Sequence, residues 1–414
     1  MRHVIIGSGP AGVVAAETLR KADAAAQITV LCGEGEAPYA RMAIPYLLSQ
    51  QIEEAGTHLR QQKDHYRRLG IELVQGRAKS VDTAQCAVKL ENGQALPYDR
   101  LLIASGARPS RQNIPGIDLP GVHSCWTLAD VRAITAKAKP GTRIVQMGAG
   151  FVGCIIIEGL LQRGFDLTIL VRSGRMVSRM MNPIASGMIR RWCEAKGVRI
   201  LVNTQAEKIA AANGELQVTL SGNKLMPADI YLSLVGVTAN TDFLEGSGVS
   251  LGKGVLVDAD MQTNVPGIYA AGDVAEFTDR ITGVRQVNAI QPNAVEQARI
   301  AAQNMAGQRA SSHGSFAFNV LTTLGLSSSS FGAWEGLPGG ESAELVDEQR
   351  YRYLRLEFKD DCLVGANAVG FTDHIGVLRG LIEGKVRLGA WKQRLLHDPT
   401  QLMPAYLACA QKAA

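Results

Sequence analysis

Two stretches of the chain repeat one pattern, and that repetition constrains the fold more than any other feature. The first is His3-Val-Ile-Ile-Gly-Ser-Gly-Pro-Ala-Gly12, followed by an Ala-rich helical stretch to Lys21 and by Ile28-Thr-Val-Leu31. The second is Arg143-Ile-Val-Gln-Met-Gly-Ala-Gly-Phe-Val-Gly153, a helical stretch to Arg163, and Leu167-Thr-Ile-Leu-Val171. Each reads strand, glycine-rich turn, helix, strand. That is a βαβ unit, and a chain with two of them builds an α/β fold of two Rossmann-like halves.

One Gly-x-Gly-x-x-Gly can be a surface loop. Two copies, each flanked by a short apolar strand and an amphipathic helix, point to two dinucleotide sites. The first glycine makes the tight turn, the second lets backbone approach a pyrophosphate, and the third lets helix pack on strand. The positive end of the helix then faces the anion. On this reasoning Gly7, Ser8, Gly9, Pro10, Ala11 and Gly12 form one cradle, and Gly148, Gly150 and Gly153 form the other.

After the first unit come Glu34 and Glu36, of which Glu34 has the better spacing to accept hydrogen bonds from ribose hydroxyls. The corresponding place after the second unit holds Val171-Arg172-Ser-Gly-Arg175, with Arg179 beyond and no acid. A carboxylate there selects a free 2′-hydroxyl, whereas arginines neutralise a 2′-phosphate. NADPH is therefore favoured over NADH, the alternative being that these arginines are solvated loop charges. Two further segments end an apolar strand in small residues: Leu101-Leu-Ile-Ala-Ser-Gly-Ala-Arg-Pro109 and Ile268-Tyr-Ala-Ala-Gly-Asp-Val274. Beside a dinucleotide, such strand ends suit backbone contact with a cofactor, and Asp273 suits a sugar-alcohol hydroxyl. Ala78 joins Ala104, Ser105, Gly106, Gly236 and Gly272 as expected contacts.

Composition narrows the class. A length of 414 residues suggests two to four domains, and 46% apolar residues exclude disorder. The apolar run Phe151 to Ile157 stops at Glu158, far short of a bilayer span. With no leader pattern before the strand at His3, the expectation is a cytoplasmic protein. The nearest two of the seven cysteines, Cys125 and Cys154, stand 29 residues apart, so no CxxC, CxxxxC or clustered metal set exists. A net charge of +5 without a basic run gives no sign of nucleic-acid binding. The 44 glycines exceed the roughly 29 expected at a 7% background, and nine of them sit in the segments above.

At these residues the chain resembles the two-dinucleotide-domain flavoproteins of the pyridine nucleotide-disulfide oxidoreductase superfamily. Gly7-Ser-Gly-Pro-Ala-Gly12 is similar to the family's FAD fingerprint, Ala104-Ser-Gly106 with Arg108-Pro109 to its Ala-Thr-Gly segment, Gly148 to Gly153 to its nicotinamide fingerprint, and Tyr269-Ala-Ala-Gly-Asp273 to its second FAD contact. The pattern resembles in particular the ferredoxin, rubredoxin and coenzyme A disulfide reductases and the flavin domain of assimilatory nitrite reductase. The resemblance implies that Arg41, in Pro38-Tyr-Ala-Arg41, approaches the FAD pyrophosphate. It also implies a discontinuous FAD domain over 1–110 and 240–312, an NAD(P) domain over 111–239 and a small α+β C-terminal domain over 313–414.

The departures from the family pattern carry information. Disulfide and peroxide reductases of this superfamily carry a redox Cys beside the flavin, and here Met42 stands where the single Cys would be. A thioether forms neither thiolate nor mixed disulfide. Ile155 replaces the Glu of many NADH-dependent relatives, and Gly236-Val-Thr-Ala-Asn240 replaces the usual Gly-x-Arg-Pro-Asn turn. The expectation is FAD with NADP or NAD, hydride passing from nicotinamide to flavin and then electrons to a small iron-sulfur or rubredoxin-like protein. The alternatives are a flavoprotein subunit of a larger complex that nicotinamide does not reduce, or a reductase of a quinone or other small molecule. A homodimer fits the resemblance.

Overall fold

The computed structural model of the chain describes residues 1–212 and 214–410. It divides into two compact units. One is built from Met1–Ala43, Ile52–Arg108 and Val237–Phe316, the other from Ile44–Gln51, Pro109–Gly236 and the chain from Ala317 on.

The first unit is organised on β1 (Arg2–Ile6), α1 (Pro10–Ala22) and β2 (Gln27–Cys32). Its sheet runs in the order Ile268–Ala270, Arg100–Ile103, β1, β2, Ile71–Gln75, with every pairing parallel. The strands read as near-continuous apolar runs because a parallel sheet is covered on both faces. Pro10 opens α1 with its φ already fixed for a helix, and Arg20 and Lys21 in the last turn complement the dipole. Buried Ala11, Ala15 and Ala16 face a second helix, Gln291–Met305, which buries Ala294, Ala298, Ala301 and Ala302. Small side chains on both sides let the two axes approach closely.

The second unit repeats the plan with β3 (Arg143–Met147), α2 (Phe151–Ile155), α3 (Ile157–Gln162) and β4 (Asp166–Val171). Its parallel sheet has the order Arg199–Val202, β4, β3, Ile230–Ser233, Val122–His123. Both copies insert a three-stranded antiparallel sheet just before the strand that returns to the centre: Ala78–Asp82, Ala87–Leu90 and Ala95–Pro97 in one, Ala206–Ala212, Glu215–Leu220 and Lys224–Ala228 in the other. One difference separates the copies. The helical stretch expected to reach Arg163 is interrupted at Ile156, so the second copy has two short helices where the first has one.

The second unit also holds a five-stranded antiparallel sheet in the order Phe318–Thr323, Leu326–Gly332, Cys362–Val369, Arg352–Lys359, Glu341–Asp347. Helices Ile375–Glu383, Ala390–His397 and Leu402–Cys409 follow it. His397-Asp-Pro-Thr400 is the turn between the last two, its Asp398 carboxylate accepting the Thr400 N–H at 3.0 Å and hydroxyl at 2.6 Å.

Candidate dinucleotide sites

Both glycine turns leave the carboxyl end of a central parallel strand, where open α/β sheets bind ligands. In the first, each glycine answers a separate steric demand. Gly7 has φ +114°, and a Cβ on it would stand 2.2 Å from the Ala104 carbonyl oxygen. A Cβ on Gly12 would stand 1.9 Å from the Gly7 carbonyl oxygen. Gly9 caps α1 with ordinary extended backbone, and nothing lies within 4 Å of its would-be Cβ. Gly7 and Gly12 are thus required by the protein itself, whereas Gly9 borders open space at the helix N-terminus. Ser8 and Pro10 flank it half-buried, and Ala11 is buried in the first turn of α1.

Of the remaining first-unit residues, Ala104 and Gly272 stand directly against this turn. Ser105 donates its hydroxyl to the Asn240 carbonyl at 2.8 Å, Asn240 returns its side-chain N–H to the Ser105 carbonyl at 2.9 Å, and its backbone N–H reaches Gly106 at 2.9 Å. Asn240 therefore locks the Ala104–Gly106 segment. Gly272, at φ +83°, donates its N–H to Gln297 Oε1 at 2.9 Å, and a Cβ there would lie 3.2 Å from the Ala11 methyl. Among the described residues no hydrogen bond or ion pair reaches the Asp273 carboxylate. Burial raises its pKa and the Arg41 charge opposes the rise. Ala78 opens its antiparallel strand after Gly76 and Arg77, which bond to the carbonyls of Cys32 (2.9 Å) and Gly33 (2.9 Å) at the end of β2.

Glu34 and Arg41 sit together. One Glu34 oxygen accepts the Tyr39 hydroxyl at 2.6 Å, the other pairs with the Arg41 guanidinium, and Arg41 donates to the Tyr39 oxygen at 2.8 Å. Burial, joined by the Glu34 charge and against the pull of Arg41, pushes the Tyr39 phenol up to about 12. Sequence reasoning treated the acid and the arginine as separate contacts and missed the tyrosine, although it lies inside Pro38-Tyr-Ala-Arg41. Gln297 was also missed, because nothing local marks a glutamine on a helix far along the chain.

The second turn has the same steric logic. Gly148, at φ +108°, would place a Cβ 2.2 Å from the Leu234 carbonyl oxygen, and Gly153 would place one 2.5 Å from the Gly148 oxygen. Nothing lies within 4 Å of a Cβ on Gly150. Gly236, at φ +121°, also faces open space and receives the Ser110 N–H at 2.9 Å. Arg172 is exposed, and among the described residues no ion pair reaches it, Arg175 or Arg179. Their loop is tied to the turn by the Val177 N–H, which donates to the Ala149 carbonyl at 2.7 Å.

Met42 lies in the 3₁₀ turn Arg41–Ala43 and is 46% exposed. Among the described residues no disulfide joins any of the seven cysteines. Four are buried, and burial pushes the thiols of Cys125 and Cys193 up to about 12 and those of Cys32 and Cys154 upward as well. No helix among the described residues is long and apolar enough to cross a membrane.

Two parallel sheets, each with a three-glycine turn whose middle glycine borders open space, are a two-dinucleotide fold, and the family match makes the chain an FAD-dependent NAD(P)H oxidoreductase. The chain belongs to the pyridine nucleotide-disulphide oxidoreductase family, whose model matches residues 1–304. It is 29% identical over 401 residues to subunit epsilon of the NADH-dependent phenylglyoxylate dehydrogenase of Aromatoleum evansii, covering 96% of this chain and 95% of that protein. It is 30% identical over 393 residues to the ferredoxin–NAD(+) reductase component of the biphenyl dioxygenase system of Paraburkholderia xenovorans, covering 93% and 94%. The covalent putidaredoxin reductase–putidaredoxin complex matches in fold with a TM-score of 0.91 at 21% identity, over 99% of both chains.

Proposed function

We propose that the chain binds FAD in the first cradle and NAD(P)H in the second, and passes electrons from nicotinamide through flavin to a small ferredoxin- or rubredoxin-type protein. The observation that carries this is the pair of turns whose outer glycines are locked against backbone while Gly9 and Gly150 border open space. FAD, when bound, supplies the redox chemistry, taking a hydride equivalent and releasing electrons onward. The chain's own work is binding and orientation. Gly7, Ser8, Gly9, Pro10, Ala11 and Gly12 offer backbone and the α1 N-terminus to a pyrophosphate. Asp273, lacking a donor, suits a sugar hydroxyl, and Ala78, Ala104, Ser105, Gly106 and Gly272 present backbone without bulk. Glu34 and Arg41 hold each other ready, one for ribose and one for phosphate. Gly148, Gly150, Gly153 and Gly236 serve the nicotinamide dinucleotide, with Arg172 toward a 2′-phosphate.

Met42 supports an acceptor that takes electrons from the flavin directly, since a thioether offers no thiol relay. The reading also expects a cytoplasmic protein and a homodimer, the latter checked by light scattering on the eluting protein. A second reading, a flavoprotein subunit that nicotinamide does not reduce, is favoured by the interrupted helix and by Ile155 at the second site. Anaerobic mixing with NADH and NADPH in turn separates the two. Bleaching near 450 nm, followed by reoxidation with ferredoxin or rubredoxin but not with a disulfide, is expected. A flavin that neither nucleotide bleaches overturns the reductase reading.

A further inference from the structure

The two βαβ copies can be compared position by position, and they differ under the third glycine. Ile5 and Gln146 both stand two residues before the first glycine of their turn, and both are fully buried. In the first copy Ile5 makes an apolar contact, its Cγ2 lying 3.4 Å from where a Gly12 Cβ would be, and α1 runs unbroken for 13 residues. In the second, Gln146 Nε2 lies 3.0 Å from the equivalent point at Gly153. It donates to the Gly148 carbonyl at 2.9 Å and to the Gly153 carbonyl at 3.0 Å. Its Oε1 is buried without a hydrogen-bond partner.

A buried amide with one orphaned oxygen is a costly way to fill a space that an aliphatic chain fills in the other copy. What the amide adds is a bridge between the first and third glycines of the turn. In an unbroken helix the Gly153 carbonyl would receive the Ile157 N–H. Here it receives Gln146, and the helix stops at Ile155 and resumes at Ile157. We propose that Gln146 is a positioning residue for the nicotinamide dinucleotide. By holding the carbonyls of Gly148 and Gly153 it keeps the Gly148–Gly153 turn in the shape that lets backbone at Gly150 approach a pyrophosphate. The inference rests on the reading that this turn takes NAD(P)H.

Gln146→Met keeps the length of the side chain and removes both donors. In the FAD-loaded full-length variant, calorimetric Kd values for NAD⁺ and NADP⁺ both rise at least fivefold and by the same factor, because the pyrophosphate turn is common to both. FAD content and the limiting rate of flavin reduction at saturating NAD(P)H stay at the wild-type level. Hydrogen exchange across residues 154–158 slows as the freed Gly153 carbonyl takes the Ile157 N–H. Gln146→Leu repeats the test if the Met variant folds poorly. Wild-type Kd values in a folded variant, with only a lowered melting temperature, reduce Gln146 to a packing residue and overturn the inference. A wild-type protein that binds neither nucleotide overturns instead the assignment of this turn, and the inference with it.

Discussion

Gly9 and Gly12 belong to one fingerprint, yet their substitution by alanine has different consequences. At Gly9 the backbone has φ −74° and ψ −174°, a conformation open to any residue, and the new methyl meets no protein atom within 4 Å. Alanine gives up some of glycine's preference for the N-cap, up to about 1 kcal/mol, and regains about 0.4–1 kcal/mol by restricting the unfolded chain. Apo Gly9→Ala therefore matches the wild type to within about 1 kcal/mol. At Gly12 the methyl would sit 1.9 Å from the Gly7 carbonyl oxygen, a backbone atom that cannot swing away. Strand β1 and helix α1 must then separate, costing about 3 kcal/mol or more in the absence of any ligand. With FAD the order of effects changes, because the Gly9 methyl occupies the space proposed for the pyrophosphate. A tenfold weaker Kd is about 1.4 kcal/mol, and with FAD in excess the ligand's contribution to stability falls by that amount. Urea unfolding of apo and FAD-saturated forms, with Kd from quenching of flavin fluorescence, reads both quantities. Gly9→Ala is expected to be silent in the apo form and weaker in the holo form, and Gly12→Ala to be weaker in both. A Gly9→Ala protein that binds FAD with wild-type affinity, or whose apo form is as unstable as Gly12→Ala, refutes the division of labour between the glycines.

Three further outcomes follow from named contacts. Arg172→Glu removes one charge-assisted contact to a 2′-phosphate, worth about 1.5–3 kcal/mol. The ratio of kcat/KM for NADPH to that for NADH should drop at least tenfold, and an unchanged ratio sinks the phosphate assignment. Glu17, in α1, accepts from Arg60 at 2.6 Å with both oxygens and contacts His65 at 2.8 Å. Burial raises its pKa, but Arg60 and His65 outweigh this and hold it below the usual value. A depressed folded-state pKa contributes stability that is present above the unfolded value and lost as pH falls through the folded one. The acid limb of the urea midpoint should flatten in Glu17→Gln, and parallel limbs in the two proteins contradict this. Alkylating the native protein with iodoacetamide should modify exposed Cys86 first and spare the four buried thiols. Flavin reduction by NAD(P)H should persist, whereas its loss would reveal a thiol in the electron path.

What could be read in the sequence was whatever the backbone geometry demands at fixed spacing. The glycines at 7, 12, 148 and 153 stand where a Cβ would strike backbone, Gly9 and Gly150 complete the fingerprint spacing in open space, and Asp273 directly follows the small-residue strand end. Side-chain partnerships obey no such period. Tyr39, Glu34 and Arg41 meet because a loop folds back on itself after β2, and nothing in their spacing says that the acid and the arginine are partners. The interruption at Ile156 was equally hidden, since Phe151 to Ile157 contains no proline and reads as one apolar helix. At the break the Gly153 carbonyl accepts from a glutamine on the preceding strand, Gln146, whose pattern position looks apolar. The segment Ile44–Gln51 groups with the second compact unit although no change of composition separates it from Met1–Ala43.

With the proposed occupants, the unequal copies acquire a kinetic meaning. A flavin prosthetic group has to stay through every turnover, while a nicotinamide dinucleotide has to leave after each hydride. The first cradle is built for retention: α1 runs 13 residues without a break and packs against the helix Gln291–Met305, and the Glu34–Tyr39–Arg41 triad on the loop after β2 puts its charge near Asp273. The second opens on a five-residue helix whose third-glycine carbonyl is tied down from the strand below. Its cations lie on an exposed loop. Attraction from such a loop is screened within about 8 Å at physiological salt, whereas the turn geometry is not. Raising ionic strength should therefore weaken NADPH binding more than NADH binding and leave FAD in place, and release of FAD at the same salt as NADPH would contradict this asymmetry.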